Sequence, residues 1–369
     1  MTSPARQAEA DRAAVAFQTA LTQIGAGTIA EALTMWGDVP ATARASTSSS
    51  WLRRAITMVM SRRRMSRDLA RAYYRLARAL RTGTTVADPY HPEPTYITLD
   101  VLRREFAELA GEPAEQPQEG RSEPSDTSTP ETPSSAASGE YVEADDDDPA
   151  STDQELEDEL DRIRVEEIEG LREAEERIER EAEQELRTVL EALGPNNLQG
   201  KVDKIDGGRT ADEVDKIRDE VHQQVGGQQA AAAERVAMNG GRSTVWNHAS
   251  RDRRAIGYIR LSRTGTPCGW CAMLISRGPV YRSSASAQYA DGDRYHDNCH
   301  CYAEPVFSRE QYNGSSLYEL NRRYEELWPT VTSGLSGKAA VAAWRRFIRQ
   351  EQKAAAQEAR RQTPNVQEA

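Results

Sequence analysis

At 369 residues the chain is long enough for two domains, and 38% hydrophobic with 6% aromatic content lies on the polar side for a globular protein. Mean hydropathy is −0.74, and no stretch approaches the roughly 20 apolar residues a membrane helix needs, so no membrane-spanning helix is expected. The net charge of −12 is unevenly spread: residues 112–191 hold 29 Asp and Glu against 7 Arg, whereas the rest holds 40 Lys and Arg against 30 acids. A basic surface outside the acidic segment therefore remains open.

Residues 1–110 read as a helical N-terminal domain. The first residues, Met1 to Arg12, show no apolar core and no cleavage signal, so export is not expected. Two apolar-periodic stretches, Ala8–Thr34 and Trp51–Arg81, flank a Ser/Thr-rich turn at Ala41–Ser50. In the second, Leu69, Tyr73, Leu76 and Leu80 recur at helical spacing, which predicts a buried stripe widened by Tyr74 and Ala77. Gly83 is a plausible stop, the proline-rich run from Asp88 to Pro94 reads as extended, and Leu99–Leu109 reads as a shorter helix.

Residues 111–152, dense in Pro, Ser, Thr and acid, read as a disordered acidic linker that cannot bury enough apolar surface to offset its ordering entropy. Residues 153–193 read as one long charged helix with acid-to-Arg i,i+4 pairs such as Glu173–Arg177 and Glu183–Arg187. Its heptad seam, Ile168, Ala182 and Val189, is interrupted by Glu175, so a solvated, loosely packed helix is preferred to a coiled coil.

Residues 194–308 form the next unit. Val202–Val225 and Ala230–Asn239 look helical, separated by Gly226-Gly227 and followed by Gly240-Gly241. Ala255–Arg263 alternates as a strand does, and Gly278–Tyr281 and Tyr302–Phe307 are further strand candidates. Residues 309–369 return to helix, notably Lys338–Arg361, and end in a polar tail. The expected class is α+β, mostly α, with a small C-terminal α+β module of zinc-knuckle type.

All four cysteines lie in that module, within 34 residues, beside two of the five histidines: Cys268-Gly-Trp-Cys271, then His296-Asp-Asn-Cys299-His300-Cys301. In a reducing compartment such clustering indicates metal or catalysis rather than disulfides. A Cys-x-x-Cys knuckle converges two sulfurs, and a second pair of donors about 25 residues on is the spacing of a tetrahedral Zn²⁺ site. Such an ion contributes on the order of 10–16 kcal/mol to folding a piece with so few large apolar residues. Cys268, Cys271 and His296 are the clear ligands. The fourth is Cys299, through a His-x-x-Cys knuckle, or Cys301, with His300 pointing away.

The run Glu234-Arg-Val-Ala-Met-Asn-Gly-Gly, the following strand, the Cys-x-x-Cys, His-x-Asn-Cys-x-Cys and Glu304-Pro-Val resemble the phage Mu protein F-like family of minor head, or head-morphogenesis, proteins. The resemblance covers about residues 230–308, and Asp297 stands where the family typically has Pro. Gly278-Pro-Val-Tyr281 and the helical N-terminal arrangement are similar to versions found in phages of actinobacteria, which are sometimes assigned as capsid maturation proteases. The resemblance implies a low-copy head component made in the host cytoplasm and residing in the capsid interior. Its implied partners are the portal protein, the major capsid or scaffold protein, and packaged DNA.

A second candidate surface is the arginine run of the Trp51–Arg81 stretch. Arg64, Arg67, Arg71, Arg75 and Arg78 recur at 3–4 spacing opposite the Leu/Tyr stripe, beside Arg62 and Arg63. They predict a solvated face, a contact to DNA phosphates, or a contact to an acidic partner such as residues 140–161. No phosphate-binding loop, G-x-S-x-G elbow or H-E-x-x-H is present. Three readings follow: a structural head protein with a zinc module; a capsid maturation protease with a thiolate nucleophile and His248, His296 or His300 as base; and a nucleic-acid module using Arg263, Arg277, Arg282 and Arg294. A closed zinc site and an accessible thiolate exclude each other.

Overall fold

A computed structural model describes residues 3–111, 162–205, 207–262, 265–279, 295–299 and 301–362. The expected acidic linker, beyond Gly111, lies outside the described residues, as do residues 153–161 of the expected long helix, His300, Arg263, Arg282, Arg294 and half of the strand expected at 278–281. The described chain is mostly helical with two small sheets, the α+β, mostly α class read from the sequence.

Helix α1 (Pro4–Gly37) starts at Ser3, whose Oγ accepts the Arg6 N–H at 3.3 Å, with Pro4 in the first turn. Helix α2 (Ser49–Thr82) stops at Gly83, which takes the left-handed φ of 75° and donates its N–H to Ala79 O. The two are antiparallel: Phe17 stacks on Tyr73 at 4.5 Å near one end, and Trp36 meets Trp51 edge-on at 5.0 Å near the other. Tyr73 and Tyr74 are fully buried, as the stripe predicts.

The sheet behind α2 joins β1 (Thr84–Val86), β2 (Tyr96–Thr98) and β3 (Arg162–Glu166), with β3 in the centre, parallel to β1 and antiparallel to β2. Helix α3 (Leu99–Ala110) follows β2 directly. The strand β3 corrects the helix expected over 153–193 within its described part, residues 162–193. Arg162-Ile-Arg-Val-Glu alternates and buries Ile163, and helix α4 begins only at Leu171, behind Gly170 at φ 67°. Charge density and i,i+4 pairs cannot detect that edge pairing on both sides outweighs helix propensity here.

Helix α4 (Leu171–Leu193) is not loosely packed: Leu171, Ala174, Ala182, Leu186 and Leu190 are buried, and so is Glu175. A short α5 (Pro195–Val202) leads to α6 (Ala211–Arg251), opened by a capping box in which Thr210 and Glu213 each accept from the other's backbone N–H. α6 runs unbroken through both glycine pairs that the sequence marked as breaks. A Cβ at Gly226 would lie 2.6 Å from the Trp36 ring, and one at Gly240 2.4 Å from Arg63 O. These glycines admit α1 and α2 close to the α6 backbone; the neighbours' bulk, not a turn, calls for them.

Two buried clusters line the three-helix pack. One gathers Trp36, Trp51, Val59, Leu186, Leu190, Val225 and Ala233. The other runs from Phe17, Tyr73 and Leu80 through Met238 and Val245 into the C-terminal module and Trp344. The core thus draws on residues from both the 1–110 and 194–308 segments. The module pairs β4 (Gly257–Ser262) with β5 (Cys301–Val306), antiparallel, Ser262 opposite Cys301. Helix α7 (Gly269–Ile275) follows β4, and α8 (Arg309–Gly314), α9 (Glu319–Val331) and α10 (Gly337–Gln362) close over it. Trp344 of α10 is fully buried against Tyr324 and Trp328 of α9.

Candidate metal centre

Cys268 caps α7, and its Sγ accepts the Cys271 N–H at 3.4 Å, the knuckle that Cys-x-x-Cys spacing implies. Cys299 precedes β5 and Cys301 opens it, so the β4–β5 ladder brings the second donor group under the first. All four thiols are free; Cys268 is exposed and the other three are buried. The five donors form two triads that share Cys271: Cys268, Cys271 and His296, and Cys271, Cys299 and Cys301, each with its atoms within 4.8 Å of one another. The Cys271 and Cys299 sulfurs are 3.5 Å apart, close to the about 3.8 Å expected for two thiolates on one tetrahedral Zn²⁺. The donor set therefore fits a thiophilic ion.

The surroundings reinforce this. His296 Nδ1 donates to Asp297 O at 2.7 Å, which fixes the ring and turns Nε2 toward Cys268 Sγ at 2.9 Å. The Asp297 carboxylate is bonded to Arg235 at 2.7 Å, and Arg235 also reaches Glu185 of α4, which anchors the histidine loop to two helices. Beneath the thiols lie two buried arginines that the sequence reading missed. Arg242 Nη2 donates to Cys299 O at 2.5 Å, and Arg260 Nη1 points at Cys271 Sγ at 3.6 Å. Both guanidiniums lie over the Tyr295 ring, at 4.3 and 3.8 Å. Arg260 was legible in principle, as a cation at an inward position of an otherwise apolar strand.

Charge is distributed accordingly. The contact from Cys271, with that of His296, pulls the Cys268 thiol down to about 4, and the bond to Cys268 raises His296 to about 9. Among the buried thiols, contacts from Cys271 and Cys301 hold Cys299 low, helped by Arg242 and Arg260. Cys271 is pushed up, chiefly by its contacts with Cys268 and Cys299. Cys301 is lowered by Cys271 but raised overall by Cys299 and by burial.

The arginine face does not survive folding as a surface. Arg71, Arg75 and Arg78 are 7%, 2% and 1% exposed. Arg71 pairs with Asp68 and Asp88, Arg75 with Glu93 and Glu105, and Arg78 with Asp252 and Glu166, both at 2.6 Å. Arg67 lies 3.7 Å from Glu179, and Arg64 alone of the five is exposed. For Arg67, Arg71, Arg75 and Arg78 the expected DNA or acidic-partner contact is thus replaced by internal pairs, and Arg64 stays on the surface. Helical spacing shows that charges share a face but not what covers it. His248 is likewise withdrawn: fully buried, its Nδ1 donates to Thr244 O at 2.9 Å, and burial lowers its pKa. It is packed on Tyr74 and lies 3.6 Å from the buried Glu175.

The class defined by fold and site is thus a mostly helical protein with an embedded Cys/His centre suited to a thiophilic ion. Residues 199–327 match the model of a phage protein family described as VG15 protein, a similarity that spans α6, the sheet and all five donors. The match supports a phage protein. No curated protein and no solved structure matches the chain. No helix among the described residues is long and apolar enough to cross a membrane.

Proposed function

We propose that the chain is a phage minor head protein of Mu F-like type, acting in head assembly beside the portal, with the Cys/His module as a structural zinc centre. The observation that carries this reading is the convergence of Cys268, Cys271, His296, Cys299 and Cys301 inside the segment similar to a phage protein family. The module is fastened to α4 and α6 through Arg235 and Arg242, so an ion there stiffens a unit already seated on the bundle. Its partners in this reading are the portal and the major capsid or scaffold protein, in the capsid interior after assembly in the host cytoplasm. Packaged DNA, if contacted, meets surfaces other than Arg71, Arg75 and Arg78, which are enclosed.

Metal analysis of the purified full chain tests the centre, with incorporation of Cys268→Ala protein into heads as the functional readout. Bound zinc in the wild type and loss of Cys268→Ala from heads are expected; a metal-free chain, or normal heads containing the variant, overturns the proposal. One observation favours a second reading, a capsid maturation protease: Cys268 is exposed and its Sγ is 2.9 Å from His296 Nε2. That reading requires cleavage of capsid or scaffold chains by the metal-free protein, abolished by Cys268→Ser.

A further inference from the structure

Helix α10 carries seven Lys and Arg against two Glu, and it sorts them by face. Ala340, Trp344 and Ile348 recur along one side and are buried. Lys338, Arg345, Arg346, Arg349 and Lys353 fall on the opposite side at 100° per residue, and all five are exposed. Glu351 and Glu358 lie seven residues apart on a separate face, where Arg323 of α9 holds Glu351 at 2.6 Å. Among the described residues no carboxylate pairs with any of the five cations. Arg71, Arg75 and Arg78 have similar spacing on α2, but there internal acids cover the face.

The cysteine knuckle seats this helix. An added Cβ at Gly269 would lie 2.9 Å from the Arg345 side chain, the Arg345 guanidinium stands 5.9 Å from the Trp270 ring, and Gln352 Nε2 donates to Pro267 O at 2.6 Å. Beyond that anchor every residue from Lys353 to Glu358 is exposed, so the last turns stand clear of the body. From Lys338 to Lys353 the helix rises about 22 Å, the length of about six base pairs.

Five cations on one rigid rod, with no acid among them, match a polyanion of regular charge. Apart from the cations this face offers Ala342 and Ala356, and no large apolar or aromatic side chain is exposed on it. Protein partners are anchored by such side chains at a desolvated centre, and single strands by bases stacked on aromatic rings. Duplex phosphate needs neither: cations within reach suffice, and such contact carries no sequence information. We propose that the outer face of α10, through Lys338, Arg345, Arg346, Arg349 and Lys353, binds the phosphate backbone of duplex DNA without regard to sequence. The choice of DNA among duplexes rests on the head-protein reading above. Metal content and incorporation into heads play no part in the test, so the two readings fail separately.

The test measures binding of the full chain to a short mixed-sequence DNA duplex by fluorescence anisotropy, from about 50 to about 200 mM NaCl. Five phosphate contacts give a slope of log K against log salt of about −4.5, a fall of about 500-fold over that range. A combined Arg346→Gln, Arg349→Gln and Lys353→Gln variant spares the packed Arg345. It should bring the slope to about −2 and the fall to about 10-fold, with helicity by circular dichroism unchanged. Each single substitution should reduce the slope by about 1. A matched variant, Arg53→Gln, Arg180→Gln and Arg187→Gln, removes exposed arginines of α2 and α4 and should leave the slope unchanged. No binding at the lowest salt, or equal losses in the two combined variants, overturns the proposal. So does polyglutamate bound as tightly as the duplex, which would assign the face to an acidic protein segment, or an RNA duplex bound at least about 10-fold more tightly than DNA.

Discussion

Glu304, in the strand that carries Cys301, is a carboxyl group enclosed by aromatic neighbours. Tyr73 Oη donates to it at 2.6 Å, Tyr318 Oη lies at 3.4 Å, and Arg81 with its partner Asp11 stands nearby. Burial raises its pKa from the ordinary 4.5 to about 8, against the lowering effect of Tyr73 and Arg81. An acid whose pKa rises on folding holds more protons folded than unfolded between those two values. Its contribution is therefore complete below about pH 4.5 and lost as the pH rises through about 8. Denaturant titrations across that interval should show stability falling with pH, and Glu304→Gln should flatten this slope; an equal slope in the variant would remove Glu304 as its source. Arg78 makes the complementary case, because it joins Asp252 at the end of α6 to Glu166 in β3 from near the C-terminal end of α2. Arg78→Met leaves the 2% exposed Asp252 without a guanidinium, whereas Glu166 keeps Arg254, and is expected to cost about 3–5 kcal/mol in urea unfolding. A cost below about 1 kcal/mol would mean that this face is solvated after all, as an exposed ion pair would be. Tyr73 was legible as core because its neighbours at helical spacing are apolar. Arg78 was not legible as core, because its partners are 88 and 174 residues away.

Among the helices, the glycines of α6 separate a packing role from a local one. Gly240→Ala places a methyl 2.4 Å from the Arg63 carbonyl, which belongs to helical backbone and cannot rotate aside. Overpacking of that kind is expected to cost at least about 2 kcal/mol. Gly227, in the same helix, has nothing within 4 Å of the added methyl. Gly227→Ala is expected to stabilise by about 0.5–1 kcal/mol through helix propensity. The pair of melting measurements fails as an account of α6 if the two substitutions behave alike. A single sequence cannot make this distinction: two adjacent glycines read equally as a break or as a close approach until the facing helix is known. The same holds for β3, whose strand conformation is imposed by β1 and β2 from more than 60 residues earlier. Helices α1, α2, α3 and α10 were legible to within a few residues from their local sequence pattern, with Gly83 adding a stop signal at the end of α2.

For the molecule as a whole, the cluster that encloses the cysteines continues into α1, α2, α3 and α10. A fragment of residues 225–310 would expose the faces of Met238, Val245 and Tyr258 that these helices cover, and it is expected to remain largely unfolded even with zinc added. A folded, zinc-loaded fragment by circular dichroism and metal analysis would show instead that the module is autonomous. Chelation of the full chain is expected to lower the melting temperature while leaving most helicity in place, because α1, α2 and α6 keep their mutual packing without the ion. The cysteine spacing, the mostly α class and the paired N-terminal helices could all be read from the sequence. They depend on neighbours within a few turns of chain, or on donor residues so rare that their clustering is itself the signal. Burial of the arginine face, the continuity of α6, the strand at 162–166 and the placing of Arg242 and Arg260 beneath the thiols were decided only by the tertiary structure. Each depends on which distant segment arrives opposite a given residue, and that is set by the packing of the whole chain rather than by local pattern.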